Sequence, residues 1–336
     1  MSDRDITNIL LYKPNEAGRD KAKLWRNRYG NRATIETLSP NFEDNVADVG
    51  TRLQPGNRLF SYGGDGMASI AANAVARLVH DGALHHADVS IGFVRNGFMN
   101  NADRWANGEA PPDDVVASSR YVKVYPLELR FVPDDPDAAI WYRWALLYAG
   151  RNLTAEIGSL ADAPDIRAQR EQTHQALKVA HGLGMALRYY GTSFVGGYIK
   201  PGKEHDVYLN GPEMTRVQVA DPTITDPDCM WHYDRKLGTP HVMVRDVIRG
   251  LTTHRLPVRK ITGDSHRVDD QQTLQADGEI IFFNGTPRRL GKRGISASAT
   301  YLDGRGRLFI GKSRSGLWVV SPARGVELSR DERMEA

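Results

Sequence analysis

Gly63-Gly64-Asp65-Gly66 places one carboxylate among three glycines, just before a run with the composition of a good helix. Missing Cβ atoms let a phosphate approach the main chain, and the amides that open a helix supply donors and a partial positive charge. A carboxylate beside phosphate is repulsive unless a divalent cation or a bound water lies between them, or unless it hydrogen-bonds a ribose or local amides. The plainer alternative is a tight strand-to-helix turn in which Asp65 is a cap. A second acidic turn, Asp277-Gly278-Glu279, joins two strand-like runs in "QTLQADGEIIFF". Asp-Gly is a hairpin signal, and on that reading Asp277 serves the turn.

The elements that must carry these residues change character along the chain. "NILLYK" (8–13), "RATIETL" (32–38), "RLFSYGG" (58–64) and "DVSIGFV" (88–94) read as short strands, with helices at about 18–29, 42–53, 66–80 and 99–107 between them. That alternation predicts a parallel sheet covered by helices, with Gly63–Gly66 at the carboxyl end of the third strand, where ligands bind in such sheets. Pro111-Pro112-Asp113-Asp114 breaks the pattern, and from about residue 120 strand signals dominate, interrupted by one long helix at about 164–190. The expected architecture is α/β plus mainly β: a parallel-sheet nucleotide-binding domain over 1–115, a β-sandwich-like second domain over 120–320, and a tail over 321–336.

Composition narrows the function classes. Lys+Arg 44 against Asp+Glu 41 gives a net charge of +3 spread along the chain, which does not mark a nucleic-acid binder. The single cysteine, Cys229, excludes an intramolecular disulfide framework and a Cys-based zinc cluster, and points to a reducing cytoplasm. "MSDRDITNILLYK" lacks the order of a signal peptide, and "AAIWYRWALLYAG" (138–150) is short for a membrane span and contains Arg143. A cytoplasmic protein is expected, with peripheral membrane contact left open. The motifs of α/β-hydrolases and P-loop NTPases do not occur, nor does a His-Glu-x-x-His helix. "TPRRLGKRG" (286–294) is a basic segment suited either to anionic groups or to plain solvation.

The ordered set of motifs resembles the diacylglycerol kinase, sphingosine kinase and bacterial lipid kinase family, whose catalytic fold is shared with NAD kinases. "GGDG" resembles that family's nucleotide motif, "NILLYKPNEAG" (8–18) its opening strand and loop, "IGFVRNGFMNNADRWANG" (91–108) its Gly-Thr-x-Asn-Asp segment, and "LQADGEII" (274–281) its Asp-Gly-Glu segment. "NLTAEIGSLADA" (152–163) is a weaker match to the entry into the second domain. The resemblance implies ATP- and Mg²⁺-dependent phosphorylation of the hydroxyl of a lipid or lipid-like alcohol, in the diacylglycerol or sphingoid-base class. It implies nucleotide contacts from Lys13, Asn15, Gly63, Gly64, Asp65, Gly66, Met67, Gly97, Asn100 and Glu279. Asp65 would be catalytic and reach the metal through water, and Asp277 would accept the proton of the acceptor hydroxyl. The resemblance also implies that the tail over 321–336 folds back on the first domain. The aliphatic chain would lodge against "AIWYRWALLYAG" and the helix "HQALKVAHGLGMALRYYG", stretches whose ordinary role is core.

Three positions depart from the family pattern. Met67 and Phe98 stand where threonines are usual, and Asn101 replaces the aspartate of Asn-Asp. Apolar side chains there offer no hydroxyl to a phosphate or its metal. These departures leave ATP bound mainly through main-chain amides, a different nucleotide or phosphorylated donor, or a relative that has lost catalysis. Beside the lipid kinase stand a kinase of a soluble small molecule and a catalytically silent nucleotide- or lipid-binding relative. Oligomeric state is left open.

Overall fold

The computed structural model describes residues 7–30, 32–96, 101–152, 155–156, 204–211, 225–236, 258–286 and 299–336. Four strands, β1 (Thr7–Tyr12), β2 (Thr34–Glu36), β3 (Asn57–Gly63) and β4 (Ser90–Arg95), pair in parallel. β1, β3 and β4 are buried almost along their length, as parallel strands covered on both faces must be. Between them run α1 (Glu16–Tyr29), α2 (Phe42–Arg52) and α3 (Asp65–His80); α4 (Asn101–Asn107) and α5 (Pro112–Ala117) follow β4.

Each helix shows in its sequence why it starts and where it faces. Asn15 and Asn41 cap α1 and α2, accepting the main-chain N–H of Gly18 and Glu43 at 2.9 and 2.8 Å. In α2 the buried Phe42, Asn45, Val46 and Val49 form one stripe at helical spacing. In α3 every residue from Met67 to Ala76 is buried, so this helix has no solvent face along that stretch. It is small-residue-rich because it lies between the sheet and the strands beyond it.

The remaining strands are β5 (Arg120–Val124), β6 (Leu127–Pro133), β7 (Trp141–Ala145), β8 (Tyr148–Arg151), β9 (Glu204–Leu209), β10 (Met230–Lys236), β11 (Arg259–Ile261), β12 (Gly263–Val268), β13 (Gln272–Ala276), β14 (Glu279–Phe283), β15 (Thr300–Leu302), β16 (Gly306–Lys312), β17 (Leu317–Val320) and β18 (Val326–Glu327), before α6 (Arg330–Glu335). The first sheet has seven strands in the order β18-β5-β17-β4-β3-β1-β2. A second seven-stranded sheet runs β11-β10-β9-β8-β13-β14-β15, and a four-stranded sheet runs β12-β16-β6-β7. Leu127, Leu129, Phe131, Leu308 and Ile310 of the smaller sheet pack against Tyr208, Met230, Leu274, Ile281 and Phe283 of the larger, which makes a sandwich. Its described pairings are antiparallel apart from β14 with β15.

The strand order differs from the sequence division at one point. Segments 120–124, 317–320 and 326–327 belong to the first sheet, where β17 pairs in parallel with β4 and antiparallel with β5. The chain thus leaves the first sheet after β5, builds the sandwich and returns to complete the sheet edge. Proline and acidic punctuation at 111–114 marks α5, not the departure. The expected helix at 164–190, most of 152–163 and most of the basic segment 286–294 lie outside the described residues.

Sandwich and first sheet share a core. Trp144, Leu146 and Leu147 join the cluster built from α2, α3 and the parallel strands. Asn73, fully buried in α3, donates to the Trp144 carbonyl at 2.7 Å and accepts the Trp144 N–H at 2.9 Å, closing a reciprocal pair as a neighbouring strand would. Buried Arg143 donates to Glu43 at 2.7 Å and to Thr300 at 3.0 Å, and Arg77 holds the other oxygen of Glu43 at 2.6 Å. No described helix is long and apolar enough to cross a membrane.

Candidate active site

The strand order reverses direction at β1: β2 lies on one side of it and β3 on the other. In open α/β sheets the crevice for a ligand opens at such a switch point, outside the carboxyl ends of the strands. Lys13 and Asn15 follow β1 there, and Gly63–Gly66 follow β3. The segment after β4 is tied in by the Asn96 N–H, which donates to the Gly63 carbonyl at 3.2 Å. Lys13 and Asn15 are exposed and Gly63 to Gly66 are half-buried. Asn15 spends its side-chain oxygen on the cap of α1.

Gly64 is the N-cap of α3 and brings no side-chain cap to it. The Gly64 carbonyl accepts the Met67 and Ala68 N–H groups at 3.0 and 3.3 Å, so the Asp65 and Gly66 amides are the ones offered to a ligand or solvent. Asp65 turns instead toward the next helix: its carboxylate accepts the Ala102 N–H at 3.2 Å and the Asn101 side-chain N–H at 3.3 Å. Burial raises its pKa against those hydrogen bonds. Asn101 thereby gains a reason for its type. An aspartate in its place would set a second carboxylate against Asp65, whereas the amide is a donor.

Met67 corrects an expectation. Its side chain is only 1% exposed and belongs to the core under the sheet, where a Cβ on Gly63 would lie 2.5 Å from its Cγ. Helical geometry turns position 67 inward, so the side chain is a packing residue and not a nucleotide contact. Gly97, Phe98 and Asn100 lie outside the described residues.

From the sandwich, the β13–β14 hairpin comes back onto this edge. Ala276 pairs with Glu279, leaving Asp277 (φ 49) and Gly278 (φ 93) as a two-residue turn, the left-handed geometry for which Asp-Gly is suited. Glu279 lies over α3: a Cβ on Gly66 would come within 3.1 Å of its Oε1. The charge of buried Arg143 also acts on Glu279. Asp277 points inward and is 2% exposed. Its Oδ2 accepts the Leu146 N–H at 2.5 Å, and its Oδ1 accepts the N–H groups of Leu147 and Tyr148 at 2.8 and 3.0 Å. These donors favour the charged form, yet burial and the nearby charge of Asp65 outweigh them and push Asp277 up to about 7.

Asp65, Asp277 and Glu279, which the sequence suggests as site residues, thus meet at the start of α3, while Met67 does not present its side chain there. The Leu146–Tyr148 amides carry no side-chain signature and were invisible in sequence. Among the described residues no cluster of three or more His, Cys, Asp or Glu could hold a metal ion. In "AIWYRWALLYAG", Trp144, Ala145, Leu146, Leu147 and Ala149 are buried core. Tyr142 and Trp144 also line an open groove of about 900 Å³ with His80, Arg130 and Phe309, which includes none of the three acidic residues.

No family profile and no curated protein sequence matches the chain. Solved structures do. A diacylglycerol kinase from Bacillus anthracis str. Sterne is 10% identical and superposes with a TM-score of 0.54 over 95% of this chain and 98% of its own. A structure from the same organism described as a "putative diacylglycerol kinase" gives a TM-score of 0.55 at 10% identity, over 95% and 98% of the two chains. A yeast NADH kinase complexed with NADH scores 0.42 at 9% identity. Across nearly its whole length, the chain has the fold of the diacylglycerol kinases.

Proposed function

We propose that this chain is a phosphotransferase that moves a phosphoryl group from ATP to the hydroxyl of a lipid or lipid-like alcohol. One observation carries the reading: the buried Asp277 carboxylate, cradled by three main-chain amides at a hairpin tip, within the field of Asp65 at the start of α3. Perturbed carboxylates at ligand-facing helix ends are where acid–base chemistry is expected.

In this reading the main-chain amides opening α3 and the glycines around Asp65 hold the phosphates, with Gly66 giving the room that Glu279 would otherwise close. Asp277 takes the acceptor's proton, and the three amides that cradle it fix the direction of its remaining lone pair. The residues suit Mg²⁺, which needs only one or two carboxylates beside water and phosphate; Asp65 and Glu279 would hold it through water. Bound there, the ion would neutralise charge on the phosphates.

A silent relative is favoured by the commitment of the Asp65 oxygens to α4. Incubation with labelled ATP, Mg²⁺ and diacylglycerol micelles separates the readings. Label in the organic extract is the expected result. Turnover that leaves label in a water-soluble product indicates a soluble acceptor, and ATP binding without turnover indicates the silent form.

A further inference from the structure

Two peptide units of the Asp277 cradle are held from behind by one residue. The peptide joining Leu146 to Leu147 donates its N–H to Asp277 Oδ1 at 2.8 Å, and its carbonyl accepts the Asn210 side-chain N–H at 2.7 Å. The peptide joining Leu147 to Tyr148 donates to the same oxygen at 3.0 Å, and its carbonyl accepts the Asn210 main-chain N–H at 2.8 Å. Asn210 is wholly buried, and its Oδ1 accepts a hydrogen bond from Lys312 Nζ. The ammonium also donates to the Tyr125 carbonyl at 2.8 Å.

One path runs in a single direction from Lys312 through the Asn210 side-chain amide and the Leu146–Leu147 peptide to Asp277, while the Leu147–Tyr148 peptide is held separately by the Asn210 main chain. A peptide whose carbonyl accepts a hydrogen bond is the stronger donor at its N–H, and such chains polarise one another in a low-dielectric interior. Resting on the kinase reading above, we propose that Asn210 and Lys312 are positioning residues for Asp277, strengthening and aligning the main-chain donors that orient its carboxylate. The ends of the chain carry other charges: Asp65 acts on Asp277, and burial pulls Lys312 down to about 7 while Cys229 and Asp226 favour its charged form. Simple satisfaction of two buried carbonyls would need Asn210 but no cation behind it.

Lys312→Met keeps the aliphatic stem and removes the ammonium. The backbone amide proton of Leu147 is then expected to move upfield in the NMR spectrum, and kcat with diacylglycerol to fall by about 2- to 30-fold with KM for ATP unchanged. An unmoved Leu147 amide proton overturns the proposal, as does a rise in KM with kcat intact. Should Lys312→Met fail to fold, Asp277→Asn reads the chain from its other end. The Asn210 side-chain amide signals must shift, and unshifted signals overturn the assignment. If the wild type turns over no alcohol while these shifts occur, the kinase reading fails and the hydrogen-bonded chain stands.

Discussion

Half-buried Asp65 and fully buried Asp277 are both carboxylates held by main-chain amides, and the two are held differently. Asp65 takes its donors, the main-chain amides of Asn101 and Ala102 and the Asn101 side chain, from the start of α4, a neighbour by sheet order. Asp277 takes three backbone donors from a turn about 130 residues earlier, on another part of the sandwich. The first is a cap that an amide side chain could partly imitate. The second needs two oxygens acting together, which asparagine does not have. Geometry of the second kind has no explanation in the hairpin alone, since Asp-Gly turns form without any such cradle.

The largest expected effect follows from that difference. Asp277→Asn is expected to retain ATP binding while turnover falls by about 10²–10⁴-fold, the contribution usual for a general base. Turnover by the wild type should rise as pH climbs through about 7, because only the ionised carboxylate accepts a proton. The stability sign is opposite. A carboxyl whose folded pKa is raised binds more protons folded than unfolded, so its contribution is full below the ordinary carboxylate range and is lost as pH rises through about 7. Rate and urea-unfolding profiles over that window should therefore slope in opposite directions at this site. Normal turnover by the variant would remove Asp277 from the chemistry.

Asp65→Asn should be milder. Loss of one cap costs about 1 kcal/mol, whereas weakening a water-held metal site lowers activity by about 10–100-fold. Matched melts and rates decide: a large drop in Tm with unchanged turnover would make Asp65 a cap only. Gly66→Val comes next, with ATP affinity weakened by roughly tenfold through overpacking against Glu279. Calorimetric titration of ATP into the folded variant measures this, and unchanged affinity would mean that the turn is structural alone.

Much of this arrangement was legible in sequence because it is written in local signals. The end of β3 at Gly63, the start of α3 at Asp65 and the Asp277-Gly278 turn each follow from short runs with a defined period and punctuation. What was not legible depends on distant backbone. Nothing in "ALLYAG" tells that the amides of Leu146 to Tyr148 converge on Asp277, because an N–H is the same in every residue type but proline. That 317–320 belong to the first sheet was not legible, since a strand's periodicity does not say which sheet it joins; only the resemblance pointed to a C-terminal return. Met67 failed for a third reason: a motif position fixes the backbone, while the helix turn decides which way the side chain goes.

The smallest expected effect concerns that residue. Restoring the threonine usual at position 67 would add a hydroxyl near the phosphate cradle if the side chain faced it. In this structure it faces the core and lies against Gly63. Met67→Thr therefore removes buried apolar volume and leaves a hydroxyl to be satisfied by a carbonyl one turn back. A loss of about 2 kcal/mol in urea unfolding is expected, with ATP affinity unchanged when measured well below the transition. A gain in affinity from this substitution would place the side chain on the ligand side of α3. It would also erase the contrast between a carboxylate turned toward the site and its neighbour turned away.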